Sequence, residues 1–261
     1  MAAGLGTLLM LAAEAPPARP PASPAAAAAV QFAPPIDRAM AYRVTTRRLG
    51  RDGALLSFSL HYALIWRRAG RGYRLEAVLE RIESDARPEV TRALTAVLQP
   101  LVGQPMTYLV PANGATIDLV AADDLWDRAL ARTQAVGAEA DRAQAQQMAQ
   151  LLAALPADER NRLATADIRA LVAPANPAIA VADGSGVAVT QAGALRTIAT
   201  AERARLAPDG AGQPLHIDTQ WTVDTATGMV QREQRQSWIV SPGTAARTLV
   251  EERVRALSLA E

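Results

Sequence analysis

Ser57, Ser59 and His61 fall on one side of a two-residue period, and His216 and Asp218 share another such side. If those strands were neighbours, they would assemble a Ser-His-Asp grouping suited to acyl transfer. The strained turn that exposes such a nucleophile is missing, because Gly184-Ser185-Gly186 does not fit the G-x-S-x-G elbow. Alternating Ser, His and Asp are also the ordinary content of a solvated sheet face. A hydrolase therefore ranks third among the functions considered. His61 and His216 are the only imidazoles, and their separation matches no ligand spacing, so no metal site is expected. All 27 basic residues are arginine, which excludes chemistry that needs a lysine amine, such as a Walker-type phosphate loop or a Schiff base. Cysteine is absent, so thiol nucleophiles, iron–sulfur clusters, disulfides and a lipid-modified N-terminal Cys are excluded too. No cofactor is expected.

A second group is electrostatic. Arg67, Arg68, Arg71 and Arg74 crowd one turn, with Trp66 and Tyr73 beside them. The sharp interpretation is a tip that meets anionic lipid headgroups through guanidinium charge and interfacial aromatics. The plain one is a solvated turn in a chain that writes every basic residue as Arg. Trp66 and Tyr73 fall on apolar faces, which favours the core for both. A net charge of +1 gives no reason to expect nucleic acid as a partner.

The third group is apolar and sits on the strongest pattern in the chain. Leu56, Phe58, Leu60, Tyr62, Leu64 and Trp66 share one side of a two-residue period, opposed by Leu55, Ser57, Ser59, His61, Ala63, Ile65 and Arg67. At ~3.3 Å per residue this strand runs roughly 40 Å. One covering helix about 10 Å wide cannot hide such a stripe, so the six residues are the candidate contact for an apolar ligand.

The elements that position these groups follow from the same periodicity. Tyr42, Val44 and Thr46 alternate with Arg43, Thr45 and Arg47, and the turn Gly50-Arg51-Asp52-Gly53 leads into the long strand. A second turn, Ala69-Gly70-Arg71-Gly72, leads to Tyr73, Leu75, Ala77 and Leu79. This predicts a three-stranded antiparallel meander. A short helix is expected over 88–98, and a hairpin about Asn113-Gly114 joins strands over 106–110 and 116–120. From 121 to 172 the period becomes helical, with Asp123 as a candidate cap and with Met148, Leu151, Leu152 and Leu155 as the bulky apolar positions. The last third returns to strands, over 215–223, 230–240 and about 244–257. The charges of the final one (Arg247, Glu251, Glu252, Arg253, Arg255) suggest a solvated outer face or a guarded edge.

The N-terminus reads as a targeting segment. A short apolar run from Leu5 to Ala13 precedes the small-x-small site Ala13-Glu14-Ala15, although no basic residue lies before it. Residues 1–15 are the expected signal peptide and 16–35, with seven prolines, a linker. The remaining 36–261 is expected to be a single α+β domain. Its curved, mainly antiparallel, half-barrel-like sheet would hold about seven or eight long strands, with a helical insertion over one face. No transmembrane span is expected, since the apolar run falls short of ~20 residues.

An exported chain with a long one-sided meander, a helical segment in mid-chain and a closing meander resembles the bacterial lipoprotein-carrier half-barrel of LolA and LolB, and related secreted domains of unknown function. The features that carry this are the 54–67 and 73–84 strand pair, the helical stretch 121–172 and the Trp221…Asp224-x-x-x-Gly228 hairpin. The resemblance implies a concave sheet that holds acyl chains or another apolar ligand. It transfers no residue role, because no residue-level motif matches. The expected function is thus a non-catalytic, periplasmic or extracellular envelope protein that binds or carries a lipid-like ligand. The alternative is a solid-core interaction protein that binds another envelope protein.

Overall fold

The computed structural model describes residues 30–50, 53–86, 98–137, 150, 154, 156–172, 186–205, 214–240 and 246–260. The expected signal peptide, most of the linker, nearly all of the 88–98 helix and most of 138–155 within the expected helical stretch lie outside these residues.

Alternation governs the first meander. β1 (Ala39–Leu49) buries Met40, Tyr42, Val44 and Thr46, exposes Ala41 and Arg43 and leaves Thr45 half-buried. β2 (Leu55–Ala69) pairs with β1 from Leu55 to Ile65, and Tyr62 lies directly opposite Tyr42. β3 (Gly72–Ser84) continues the pattern through Tyr73, Leu75, Ala77 and Leu79. There the register slips: Tyr62 pairs with Leu79, but His61 pairs with Arg81. Glu80 is the extra residue. This bulge turns Ile82 to the apolar side and sets Arg81 and Glu83 opposite His61 and Ser59.

Beyond a 3₁₀ turn at Gln99–Leu101 lie β4 (Pro105–Val110) and the two-residue β5 (Asp118–Leu119), which form the expected hairpin with a shorter second strand. Two helices follow, α1 (Ala122–Gly137) and α2 (Ala157–Arg169). Asp123 lies inside the first turn of α1 and not at its cap. There Asp123 and Asp124 still favour the positive end of the helix dipole. The last part comprises β6 (Gly186–Ala192), β7 (Leu195–Arg205), β8 (Pro214–Asp224), β9 (Met229–Val240) and β10 (Arg247–Leu259).

All ten strands form one open sheet in the order β5-β4-β3-β2-β1-β10-β9-β8-β7-β6, and every ladder is antiparallel. The α+β class is as expected, with ten strands among the described residues against the seven or eight anticipated. The charged final strand is not an edge: β10 lies mid-sheet between β1 and β9. Its charges are tolerated there because partners flank them, Arg47 and Arg48 on β1 and Glu233 on β9.

The core lies under the helices. Leu125 of α1 and Ile168 of α2, followed by Leu171 and Val172, join Leu64, Trp66, Leu75 and Tyr108 in one apolar cluster. A segment around Phe32 closes one end as a strap. Phe32 meets Trp66 and Tyr73 edge-on at 5.4 Å each, and Ala33 donates its N–H to Thr227 O at 2.8 Å. A second, smaller cluster of Ile198, Val223 and Val230 lies on the far half of the sheet.

Candidate functional site

The six-residue stripe shares one face of β2, but its cover is uneven. Leu60, Leu64 and Trp66 are buried, whereas Leu56, Phe58 and Tyr62 are only partly so. The Trp66 end is filled by the strap, by Tyr73 and by Leu75. Next to the stripe, Met40 of β1 stands in register with Leu64. Met40 also walls a cleft of about 220 Å³ together with Met229, Leu257 and Leu259, and Pro35, Arg38, Asp224, Thr227, Gln231 and Ser258 line it as well. Methionine lets such a wall adapt to an irregular apolar occupant.

The interface between α2 and the sheet is fastened by polar groups. Tyr42 donates its hydroxyl to Asp167 O at 2.8 Å, and Tyr108 donates to Ala164 O at 3.1 Å. Burial, reinforced by the Asp167 carboxylate, pushes the phenols of Tyr42, Tyr62 and Tyr108 above their ordinary range, so all three stay neutral donors. Arg255 reaches across from β10, bonding Asp167 Oδ1 at 2.9 Å and Glu233 Oε1 at 2.8 Å. Desolvation works against the Arg255 charge, but Asp167 and Glu233 outweigh it and hold its pKa above the usual value. Glu233 Oε2 is buried with no hydrogen-bond partner among the described residues. Arg255 is thus the one described group holding that carboxylate. No local signal in the sequence singles out this triad, because its members come from α2, β9 and β10.

On the opposite face of the sheet, His61 lies between two charges. Arg81 can only donate, so its 3.2 Å contact makes His61 Nδ1 an acceptor, and Nε2–H donates to Glu83 at 3.0 Å. The bond from His61 holds the Glu83 carboxyl below its ordinary range, with Arg81 and Arg43 adding to it. Both ring nitrogens are occupied. Ser59 Oγ instead faces Thr45 Oγ1 at 2.9 Å. His216 and Asp218 lie on β8, four strands away from β2, roughly 19 Å along the sheet at ~4.8 Å per strand. Asp218 pairs with Arg247 at 2.6 Å. The two halves of the imagined Ser-His-Asp grouping are not brought together.

Arg67, Arg68, Arg71 and Arg74 lie about the turn between β2 and β3, and much of their charge is answered. Arg67 and Arg74 face each other in register, and Glu76 binds both, at 3.4 Å and 2.8 Å; Asp37 adds a 3.0 Å bond to Arg67. Arg68 lies 4.6 Å over the Tyr73 ring. Arg71 forms no ion pair among the described residues and lines an open cleft of about 600 Å³ with Tyr73, Leu109 and Asp118.

Further along the polar face, Glu252 accepts amide hydrogen bonds from Gln234 at 2.7 Å and Gln236 at 2.8 Å and a 3.0 Å bond from Arg47. Burial pushes this carboxyl up, yet the two amides and Arg47 win, and its pKa lies below the ordinary value. Among the described residues no three His, Cys, Asp or Glu side chains gather as a metal site, and no helix is long and apolar enough to cross a membrane. Comparison of the chain with protein-family models and with curated proteins finds no match.

Proposed function

We propose that the chain is a non-catalytic, exported envelope protein that binds an apolar or amphipathic, lipid-like ligand between its sheet and helical cover. The observation that carries this is the cleft of about 220 Å³ walled by Met40, Met229, Leu257 and Leu259. It lies beside the stripe of β2, and Arg38 at the same cleft supplies a cation for an acidic head. A methylene chain fits such walls through dispersion and release of water. Export rests on the N-terminal pattern of residues 1–15.

The test is a titration with a fluorescent fatty-acid probe, in which saturable binding is the expected result. Arg38 is exposed and makes no ion pair among the described residues. Arg38→Glu is therefore expected to weaken an anionic probe several-fold, to leave a neutral acyl probe unaffected, and to keep the melting temperature. Equal loss for both probes, or no binding by the wild type, would refute the reading.

A second reading has its own support. Leu64, Trp66, Leu75 and Ala77 are fully closed off by the chain's own residues, which suits a solid core whose outer surfaces meet another envelope protein. In that case neither probe binds.

A further inference from the structure

β6 is one edge of the sheet, and no strand pairs with its outer side among the described residues. The opposite edge, β5, is only two residues long. Long edges are ordinarily guarded by charge, proline or a bulge, because free N–H and C=O groups template further pairing. β6 has none of these. Gly186-Val187-Ala188-Val189-Thr190-Gln191-Ala192 is uncharged and lacks proline, and its pairing with β7 runs without a register shift.

The hairpin determines which backbone groups are free. Ala192 pairs with Leu195 across the two-residue turn Gly193-Ala194. Gly193, at φ +60°, is the first central residue, which makes this a type II′ turn. The closing pair of such a hairpin exchanges both backbone hydrogen bonds, and bonded pairs then alternate along the strand. Ala192, Thr190 and Ala188 therefore bond to β7. Gln191, Val189 and Val187 direct their N–H and C=O groups outward.

We propose that this edge is a homodimer interface, in which a second copy of the chain adds its own β6 antiparallel about a twofold axis through Val189. In that register Val189 faces Val189 of the second copy, and Val187 faces Gln191 on either side of the axis. Every outward donor and acceptor of the three residues finds a partner, and no charge opposes a like charge. The symmetry is the isologous kind that closes at two copies. Residues opposed across an antiparallel pair point to the same face. Val187 and Val189 of both copies would therefore share the side that carries Ile198, Val223 and Val230. On that side Val187 and Trp221 are only partly buried and Val189 is 52% exposed. Pairing extends this small cluster across the axis and removes the exposed valines from water. An uncharged Val-x-Val edge with a central symmetry point fits its own copy better than a charged peptide.

The test is sedimentation of the full chain across a dilution series, in which a dimer that dissociates on dilution is the expected result. Val189→Lys places two cations on the axis and is expected to give a monomer with unchanged circular dichroism. The chain has no cysteine, so Val189→Cys introduces a single thiol. In the proposed register the two Cα atoms lie about 5.5 Å apart, so a short bismaleimide should link the copies in high yield. A wild type that is monomeric throughout overturns the proposal, and so does a dimer that survives Val189→Lys and does not cross-link at residue 189.

Discussion

At the scale of single residues, the unusual feature is charge placed in the middle of a sheet. Arg255 on the central strand holds Glu233, whose other oxygen has no partner among the described residues, and ties Asp167 of α2 to β10. Breaking such a pair leaves a buried carboxylate without compensation, which costs more than the intact pair contributes. Arg255→Ala is therefore expected to lower stability by about 3–5 kcal/mol in urea unfolding. Adding Glu233→Gln to Arg255→Ala should recover part of that loss, because the stranded charge is gone. Glu252 makes a different prediction. Its folded pKa lies below that of the unfolded chain, so its contribution is present above the ordinary carboxyl range and fades as pH falls through the depressed value. Glu252→Gln should cost about 2 kcal/mol at pH 7, the scale of hydrogen bonds to a charged group. The gap from wild type should narrow below about pH 4 as the wild-type carboxyl protonates. A gap that stays constant down to pH 3 would show that the charge of Glu252 contributes nothing.

At the scale of elements, the strap over the core depends on one turn. Gly228 sits at φ +67°, and a Cβ there would lie 2.6 Å from Gln31 O of the strap. Gly70 has a similar φ of +57° but nothing within 4 Å. Gly70→Ala should thus cost only the left-handed backbone penalty of ~1–2 kcal/mol. Gly228→Ala should cost more and also release the strap, read as faster hydrogen exchange at the Ala33 amide, which bonds to Thr227 O. Equal costs and unchanged exchange would mean that the strap is not held by this contact. The meanders were legible in the sequence because Leu56 to Trp66, Tyr73 to Leu79 and Leu215 to Val223 keep most of their apolar residues on one side of a two-residue period, and a one-sided strand leaves that trace. β6 left none, since Ala, Gly, Thr and Gln at an edge carry too little apolar contrast. The bulge at Glu80 was equally silent, although it decides that Arg81 and Glu83 meet His61. The charges of β10 left a solvated outer face or a guarded edge open, and the edge alternative fails because the strand lies mid-sheet, with compensating partners Arg47 and Glu233 far off in sequence. The stripe on β2 was fully visible, whereas the Met40–Met229–Leu257 cleft arises only when β1, β9 and β10 are adjacent.

At the scale of the whole molecule, one sheet joins the first and last strands, with β1 beside β10, and presents two unlike faces. One carries the helices, the filled core and the cleft beside the stripe. The other carries the His61–Glu83 and Glu252 clusters. The helical cover is fastened to the first face by neutral tyrosine hydroxyls and one arginine. Leu60 is the probe least confounded by charge: Leu60→Ala removes apolar volume beneath the cover at a cost of about 2–4 kcal/mol. The most direct measurement is native mass spectrometry of the full chain purified from a bacterial envelope, followed by organic extraction of the same sample. The account predicts a population carrying one acyl-chain lipid per protein chain, released by extraction and altered in amount by Leu60→Ala. A bare-chain mass for the wild type, with Leu60→Ala lowering stability and nothing else, would contradict it.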